Sequence, residues 1–318
     1  MTSIATVTVS PALDKSSSVE QVFAEHKLRC SEPAYEPGGG GLNVSRAIAN
    51  LDGESLALWT CGGPTGELLR EFVDERGLRH EAIPVSGMTR ENLAIYERTS
   101  GYQYRFGMPG APMTEREARE VCARVAALDP APDYLVLSGS LPPGAGDDLY
   151  ARLAERAPSH TRIILDTSGP ALHYALDQGV FLVKPNVREL EHMEKRSFDN
   201  ERDMVEAVQR CVRAGRAEVV VTSLGAGGAL LVTGQQVAHI RSPTVPIRSK
   251  VGAGDSMVAG LTVSLARGLP IADAARYGVA AGAAAVMTAG SELCRKQDTD
   301  ALFEEMNETA AKREQRSS

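Results

Sequence analysis

The sequence predicts an α/β fold: a mostly parallel sheet flanked by helices, with a small second sheet set over its strand ends. Three observations carry that expectation. Short runs rich in β-branched residues alternate with stretches of helical periodicity at the pace of βαβ units. Two segments break that rhythm with the period-2 alternation of hairpins. The 318 residues, 43% hydrophobic and 24% charged with 30 glycines, have an ordinary globular composition and suffice to bury a core without disulfide or metal staples.

Taken in order, Ile4 to Val9 reads as the first strand. Val44, Ala47, Ile48 and Leu51 then fall on one face of a helix that Gly53 ends, and Ser55 to Thr60 is the next strand. Thr114 and Glu117 form a capping box ahead of the apolar face Ala118, Val121, Cys122 and Val125, with a strand from Tyr134 to Leu137. Arg162 to Asp166, Phe181 to Val183 and Glu218 to Thr222 continue as strands, separated by helices near 147–157, 170–177 and 201–214. Ser256 to Arg267 and Ile271 to Met287 are the last long helices. The hairpins are inserted at about 15–36 and 88–110. In the second, Leu93 and Ile95, then Tyr102, Tyr104 and Phe106 past the Thr99-Ser100-Gly101 turn, alternate with polar residues. Hairpins donated by separate parts of the chain pair into a sheet over the strand ends, where open α/β sheets bind ligands; the alternative is ordinary surface hairpins. Without a linker or repeat, residues 1–318 are expected as one domain, fraying from about Asn307.

A net charge of -7 has the wrong sign for a general nucleic-acid or anionic-membrane binder. Five cysteines, at 30, 61, 122, 211 and 294, fit neither a disulfide framework nor a C-x-x-C metal site, so reduced thiols and a cytoplasmic protein are expected. The uncharged, Ala- and Gly-rich run Tyr277 to Ser291 is shorter than the roughly 18 residues a membrane span needs and reads as a tightly packed core helix. Only seven of the 34 basic residues are lysines, which draws attention to Lys27 and Lys184.

Phosphate chemistry is written in several places. No Gly-Lys dipeptide occurs, so a Walker A loop is absent, and neither Gly225-Ala226-Gly227 nor Gly252-Ala253-Gly254 extends to a dinucleotide fingerprint. Gly252-Ala253-Gly254-Asp255 instead leads into a helix, where free N–H groups and the helix dipole form an anion hole. Asp255 at its rim is suited to orient a hydroxyl and accept its proton, the dipole keeping it ionised and a weak base; the alternative is a plain helix cap. Gly38 to Gly41 invite close backbone approach ahead of Asn43, whose amide suits sugar hydroxyls, or else form a flexible loop. Asp14 suits a polyol, or a turn. Lys184 can reach phosphates; Asn186 and Glu189 can hold a hydrated magnesium, or Asn186 simply caps a helix. Thr222 to Gly228 is a strand-to-turn site suited to a nucleotide.

Gly38 to Gly41 with Leu42-Asn43, Lys184-Pro185-Asn186 through Glu189, Ser223-Leu224-Gly225 and Gly252 to Asp255 occur in the order and spacing of the ribokinase-like family, in its phosphofructokinase B branch. The resemblance spans nearly the whole chain. Lys27-Leu28-Arg29-Cys30, Glu36-Pro37, Thr89-Arg90, Tyr104-Arg105-Phe106 and Met108-Pro109-Gly110-Ala111 resemble that branch's minor bacterial 6-phosphofructokinase type. The resemblance implies an ATP-dependent sugar kinase using Mg2+, a Rossmann-like three-layer α/β/α domain, and a β-lid that often serves as the dimer interface, hence a homodimer.

Residue by residue, the resemblance makes Asp255 the catalytic base and Gly252, Ala253 and Gly254 the anion hole. Asp14, Gly39, Gly40 and Asn43 would hold the sugar, and Lys27, Arg29, Arg90, Arg105 and Ser138 the phosphate already on it. Lys184, Asn186, Ser223, Gly225, Gly227 and Gly228 would contact ATP, with Glu189 serving magnesium. Ser249, Val251, Ala285 and Gly290 correspond to a monovalent-cation site for K+. Ser10-Pro11 departs from the usual Asn-Pro. Lys250, Thr288 and Glu292 depart from the pattern near the cation site, and Lys250 leads to an expectation of weak potassium activation. The basic residues on the hairpins, in an acidic chain, suit a dianionic substrate. Fructose 6-phosphate, converted to fructose 1,6-bisphosphate in glycolysis, is the first expectation, and fructose 1-phosphate or tagatose 6-phosphate the second. A non-catalytic sensor of sugar phosphate and nucleotide is the alternative from another class, and the intact Asp255, anion hole and Lys184 argue against it.

Overall fold

The computed structural model describes residues 3–290 and 292–317, with side chains described through residue 311. The chain opens with β1 (Ile4–Thr8), β2 (Ala12–Val19), β3 (Ala34–Gly38), α1 (Gly40–Asn50), β4 (Leu56–Cys61), α2 (Gly63–Glu75) and β5 (Arg79–Pro84). It continues through β6 (Arg90–Glu97), β7 (Gln103–Gly107), α3 (Glu115–Ala126), β8 (Tyr134–Ser138), α4 (Leu149–Arg156), β9 (Arg162–Asp166), α5 (Gly169–Leu176) and β10 (Val180–Val183). It closes with α6 (Val187–Glu194), α7 (Glu201–Arg213), β11 (Ala217–Ser223), β12 (Ala229–Thr233), β13 (Val237–Ile240), α8 (Ala253–Ala266), α9 (Ile271–Val286) and α10 (Lys296–Ser317).

A nine-stranded sheet in the order β13-β12-β11-β10-β9-β8-β1-β4-β5 forms the middle layer. Its strands pair in parallel from β5 to β11, while β12 and β13 add an antiparallel edge that the sequence pattern did not announce. Both faces are covered. Ala5 and Val7 of β1 pack with α3, α4 and α5 side chains such as Val121, Leu153 and Leu172. Ile4 joins Val44 and Ile48 of α1, Val258 and Leu261 of α8 and Ala281 of α9 on the other face. Strands buried on both faces read as continuous apolar runs, which is why they were legible. The close fit of α8 on α9 follows from small residues: a Cβ at Gly260 would lie 2.8 Å from the Ala281 Cβ and 3.0 Å from the Gly278 Cα.

The two hairpins form a separate four-stranded sheet in the order β3-β2-β6-β7. β2 and β3 pair antiparallel, as do β6 and β7, and β2 runs parallel to β6 from Ala12 opposite Arg90 to Val19 opposite Glu97. The first hairpin starts at Ala12 rather than Lys15, and all four strands join the body beside the strand ends of the large sheet.

Several expectations change. The helix expected from Ser256 starts at Ala253 with Gly252 as its cap residue, so Asp255 lies inside the first turn and does not cap it. Gly40 and Gly41 are the first turn of α1 rather than a flexible loop. α2 and β5 had no clear sequence signal. Instead of fraying from Asn307, α10 continues to Ser317, anchored where Asp300 accepts from Tyr277 at 2.7 Å and Asn307 from Arg276 at 2.9 Å. Ser291, the end of the uncharged run, lies outside the described residues.

Candidate active site

The strand order turns outward on either side of β1 and β8, and the candidate residues gather at the carboxyl ends of these and neighbouring strands, the topological switch region of an open α/β sheet. Beyond β1, the Thr8 hydroxyl accepts from the Leu42 N–H at 2.7 Å and so fixes the start of α1. The glycines there are dictated by contact. A Cβ on Gly40 would lie 2.4 Å from Ser138 Oγ, and Gly39 has φ +114°. The turn therefore brings Asn43, on α1, and Ser138, ending β8, into one place.

Asn43 Nδ2 donates to Asp255 Oδ2 at 2.9 Å. Burial and then the nearby Asp166 charge raise the Asp255 carboxyl to about 6, against the opposing pull of Asn43, Lys184 and Arg46. The expectation of a weak base is thus corrected, since loss of hydration makes the carboxyl more basic than an ordinary aspartate, while a value of about 6 still leaves it mostly ionised at neutral pH. Lys184, 5% exposed, follows β10 and meets Asp166 Oδ1 at 3.0 Å. Burial opposes its charge, but Asp166 leads the groups that overcome this and raise its pKa. A Cβ on Gly254 would lie 3.7 Å from Lys184 Nζ, so the ammonium stands beside the N–H groups that open α8.

At the start of α6, Glu189 Oε2 accepts from the Asn186 N–H at 2.8 Å and Asn186 Oδ1 from the Glu189 N–H at 2.9 Å. Asn186 is therefore a helix cap, as the plainer reading had it. Burial raises the Glu189 pKa. Ser223 is joined to this element, its N–H donating to the Pro185 carbonyl at 2.9 Å. Next to it Gly225 has φ +59° with open space where a Cβ would point, and at Gly228 a Cβ would collide with the Ile240 carbonyl, so a bare backbone turn from Gly225 to Gly228 faces outward.

The lid contributes the other wall. A cavity of about 440 Å3 is lined by Asp14, Arg90, Asn92 and Arg105 from the lid and by Val251 and Gly290 from the body. Asn92 Nδ2 donates to Asp14 Oδ1 at 2.8 Å, and burial raises the Asp14 pKa. Arg90 donates to the Ser10 and Met108 carbonyls at 3.2 and 3.1 Å, while its Nε is buried without a partner. Lys27 and Arg29 are exposed on the loop joining β2 to β3 and do not line this cavity, so the structure does not bring them to the site of their own chain.

A profile of pfkB family carbohydrate kinases matches residues 4–298. The chain belongs to the pfkB family. It is 41% identical over 95% of its length, and 98% of the relative's, to the ATP-dependent 6-phosphofructokinase isozyme 2 of Escherichia coli. It is 30% identical to a 1-phosphofructokinase of Borreliella burgdorferi over 94% of this chain and 96% of that one. The crystal structure of Escherichia coli phosphofructokinase-2 in complex with potassium superposes with a TM-score of 0.93 at 40% identity, covering 96% of this chain and 100% of that chain.

Within this pfkB chain two residues at the site escaped the sequence reading. Asp166 was seen only as the end of a strand, though an acidic residue at a strand's carboxyl end was an available signal. Asn92 hid within a period-2 pattern. The candidate cation residues partly converge: Ser249 Oγ donates to the Gly290 carbonyl at 2.8 Å and accepts from the Val251 N–H at 3.2 Å. The Ala285 carbonyl instead accepts from the Thr288 hydroxyl at 2.8 Å. Lys250, the residue behind the expectation of weak potassium activation, is exposed. Among the described residues, no group of three or more His, Cys, Asp or Glu side chains is placed to hold a metal, and no helix is long and apolar enough to cross a membrane.

Proposed function

We propose that the protein is a 6-phosphofructokinase, transferring the γ-phosphoryl group of ATP to the 1-hydroxyl of fructose 6-phosphate. The observation that carries the reading is the placement of Asp14, Arg90 and Arg105 around one cavity that also touches Val251, beside the turn that leads to Asp255. Asp14 and Asn43, with Gly39 and Gly40 allowing close approach, hold the sugar; Arg90, Arg105 and Ser138 hold its phosphate. Asp255, ionised at neutral pH yet more basic than an ordinary aspartate, orients the hydroxyl and takes its proton. The N–H groups of the turn Gly252, Ala253 and Gly254, with Lys184, stabilise negative charge on the moving phosphoryl group. Asn186, Ser223, Gly225, Gly227 and Gly228 cradle the nucleotide.

Magnesium fits this donor set, since it binds through one or two carboxylates plus substrate phosphates, and Asp166 and Glu189 are both close enough to Lys184 to act on its charge. When bound, it neutralises phosphate charge. K+ would lie against Ser249, Val251 and Gly290, with Ala285 nearby. The acidic charge and reduced thiols fit a cytoplasmic, membrane-free role, and the lid supports a homodimer.

The test is an ADP-release assay across fructose 6-phosphate, fructose 1-phosphate, tagatose 6-phosphate, ribose and fructose, with and without KCl. Highest kcat/KM on fructose 6-phosphate is expected. A preference for fructose 1-phosphate would move the protein to the 1-phosphofructokinase reading, and absence of turnover on all five to that of a sensor.

A further inference from the structure

Behind Asn43 the structure holds a second layer of charge that the catalytic reading leaves unexplained. Arg46 lies one helical turn along α1 and is 4% exposed, a costly place for a charge without partners. Burial pulls its pKa down, opposed chiefly by Glu36. Its guanidinium donates to the Pro37 carbonyl at 2.7 Å, to Glu36 Oε1 at 3.0 Å and to Asn43 Oδ1 at 3.1 Å. Arg76 meets the same Glu36 oxygen at 3.6 Å. The line of contacts thus runs from Glu36 through Arg46 and Asn43 to Asp255.

A guanidinium can only donate hydrogen bonds and an ionised carboxylate can only accept them. A primary amide between the two satisfies both in a single orientation, oxygen toward Arg46 and nitrogen toward Asp255. Turned over, it would set its NH2 group against the guanidinium and its oxygen against a carboxylate oxygen. We propose that Arg46 is a positioning residue of the reaction: it locks the amide of Asn43, which by holding Oδ2 of Asp255 leaves Oδ1 aimed at the acceptor hydroxyl. Among the described residues, the charged groups that act most on Asp255 are Asp166 from β9, Lys184 after β10 and Arg46 from α1. Only Arg46 reaches it through a side chain whose polarity it also sets. The inference rests on Asp255 being the base.

A double-mutant cycle on the purified full-length protein tests it, with Asn43→Ala and Arg46→Met singly and together, and Asp255→Asn alongside. Arg46→Met is expected to lower kcat about 10- to 100-fold, the scale of a 1 Å misplacement, while changing KM for ATP less than about twofold. Its acid limb of kcat should also move to higher pH, because a donor and a positive charge are both lost. In the Asn43→Ala background the same substitution should have little further effect, as expected when one residue acts through the other. Arg46→Lys, which keeps a donor and a charge, should restore part of kcat. Equal losses in both backgrounds, or a lower melting temperature with unchanged kcat and pH profile, would overturn the proposal. If Arg46→Met does not fold, Arg46→Lys with Glu36→Gln takes its place in the cycle with the same criteria. Failure of the underlying reading shows separately, as turnover retained by Asp255→Asn.

Discussion

Asp255 lies among charges of both signs, and the balance between them decides its chemistry. Asp255→Asn keeps its shape and removes the proton acceptor, so kcat should fall about 100- to 10,000-fold with ligand binding retained. More than a tenth of wild-type turnover in saturating substrate would remove Asp255 as the base. Because its pKa is raised to about 6 and the ionised form is the active one, kcat/KM should be full above that pH and fall about tenfold per unit below it. An ordinary aspartate would hold its activity to about pH 4. Arg90 is proposed to hold the substrate's phosphate at the other end of the cleft. Arg90→Ala should raise KM for the sugar phosphate about ten- to a hundredfold and leave KM for ATP nearly unchanged, as a charged hydrogen bond is worth about 1.5 to 3 kcal/mol. Equal losses for both substrates would break the assignment. Motif spacing made Asp255, Lys184, Asn186 and Ser223 legible, because each lies in a turn whose local sequence its proposed task would constrain. Arg46 and Asp166 were not, since the first reads as one charged residue on an amphipathic helix and the second as the end of a strand; their partners come from distant parts of the chain.

The elements show the same division between local and distant causes. The capping box of α3 was visible as Thr114 with Glu117, yet Glu117 also accepts from the Ser86 N–H and hydroxyl at 2.6 and 2.8 Å, tying α3 to the loop ahead of β6. Burial alone would raise this carboxyl, but the four donors from Ser86 and Thr114 hold it at about 2. Glu117→Gln should therefore cost about 1 to 3 kcal/mol in urea unfolding at neutral pH. A folded pKa below the unfolded one stabilises above the unfolded value, and that share is lost as pH falls from about 4.5 toward 2. The gap between variant and wild type should close over that range, and a gap independent of pH would refute the ionised cap. The apolar strands, the hairpins and the long helices α8 and α9 were readable because burial imposes period or composition. α2 opens on Gly63-Pro64 and α10 on polar residues, and what holds them in place is tertiary.

Across the whole molecule, the lid has more apolar surface than it covers. The cross-strand pairs Leu93 with Phe106 and Ile95 with Tyr104 set four apolar side chains on one face, and Phe106 is 48% exposed. Aromatic residues on an uncovered sheet face suit a second copy of the chain. Sedimentation velocity should show a dimer at micromolar concentration and a monomer for Phe106→Asp; a monomeric wild type would refute the interface. One consequence follows from where the lid is rooted. β2 leaves the body through Ser10-Pro11, and Asp14 stands only three residues beyond that point, at about 3.3 Å per residue. A tilt of about 10° at the root would swing Asp14 by about 2 Å and the far end of β2 by more than twice that. Since about 1 Å of misplacement already costs up to a hundredfold in rate, the strand works as a lever, and on the proposed reading the sugar lies near its fulcrum. Stiffness at Ser10-Pro11 and at Gly38-Gly39, not the reach of the tip, then sets how sharply the enzyme distinguishes a seated substrate from a loose one.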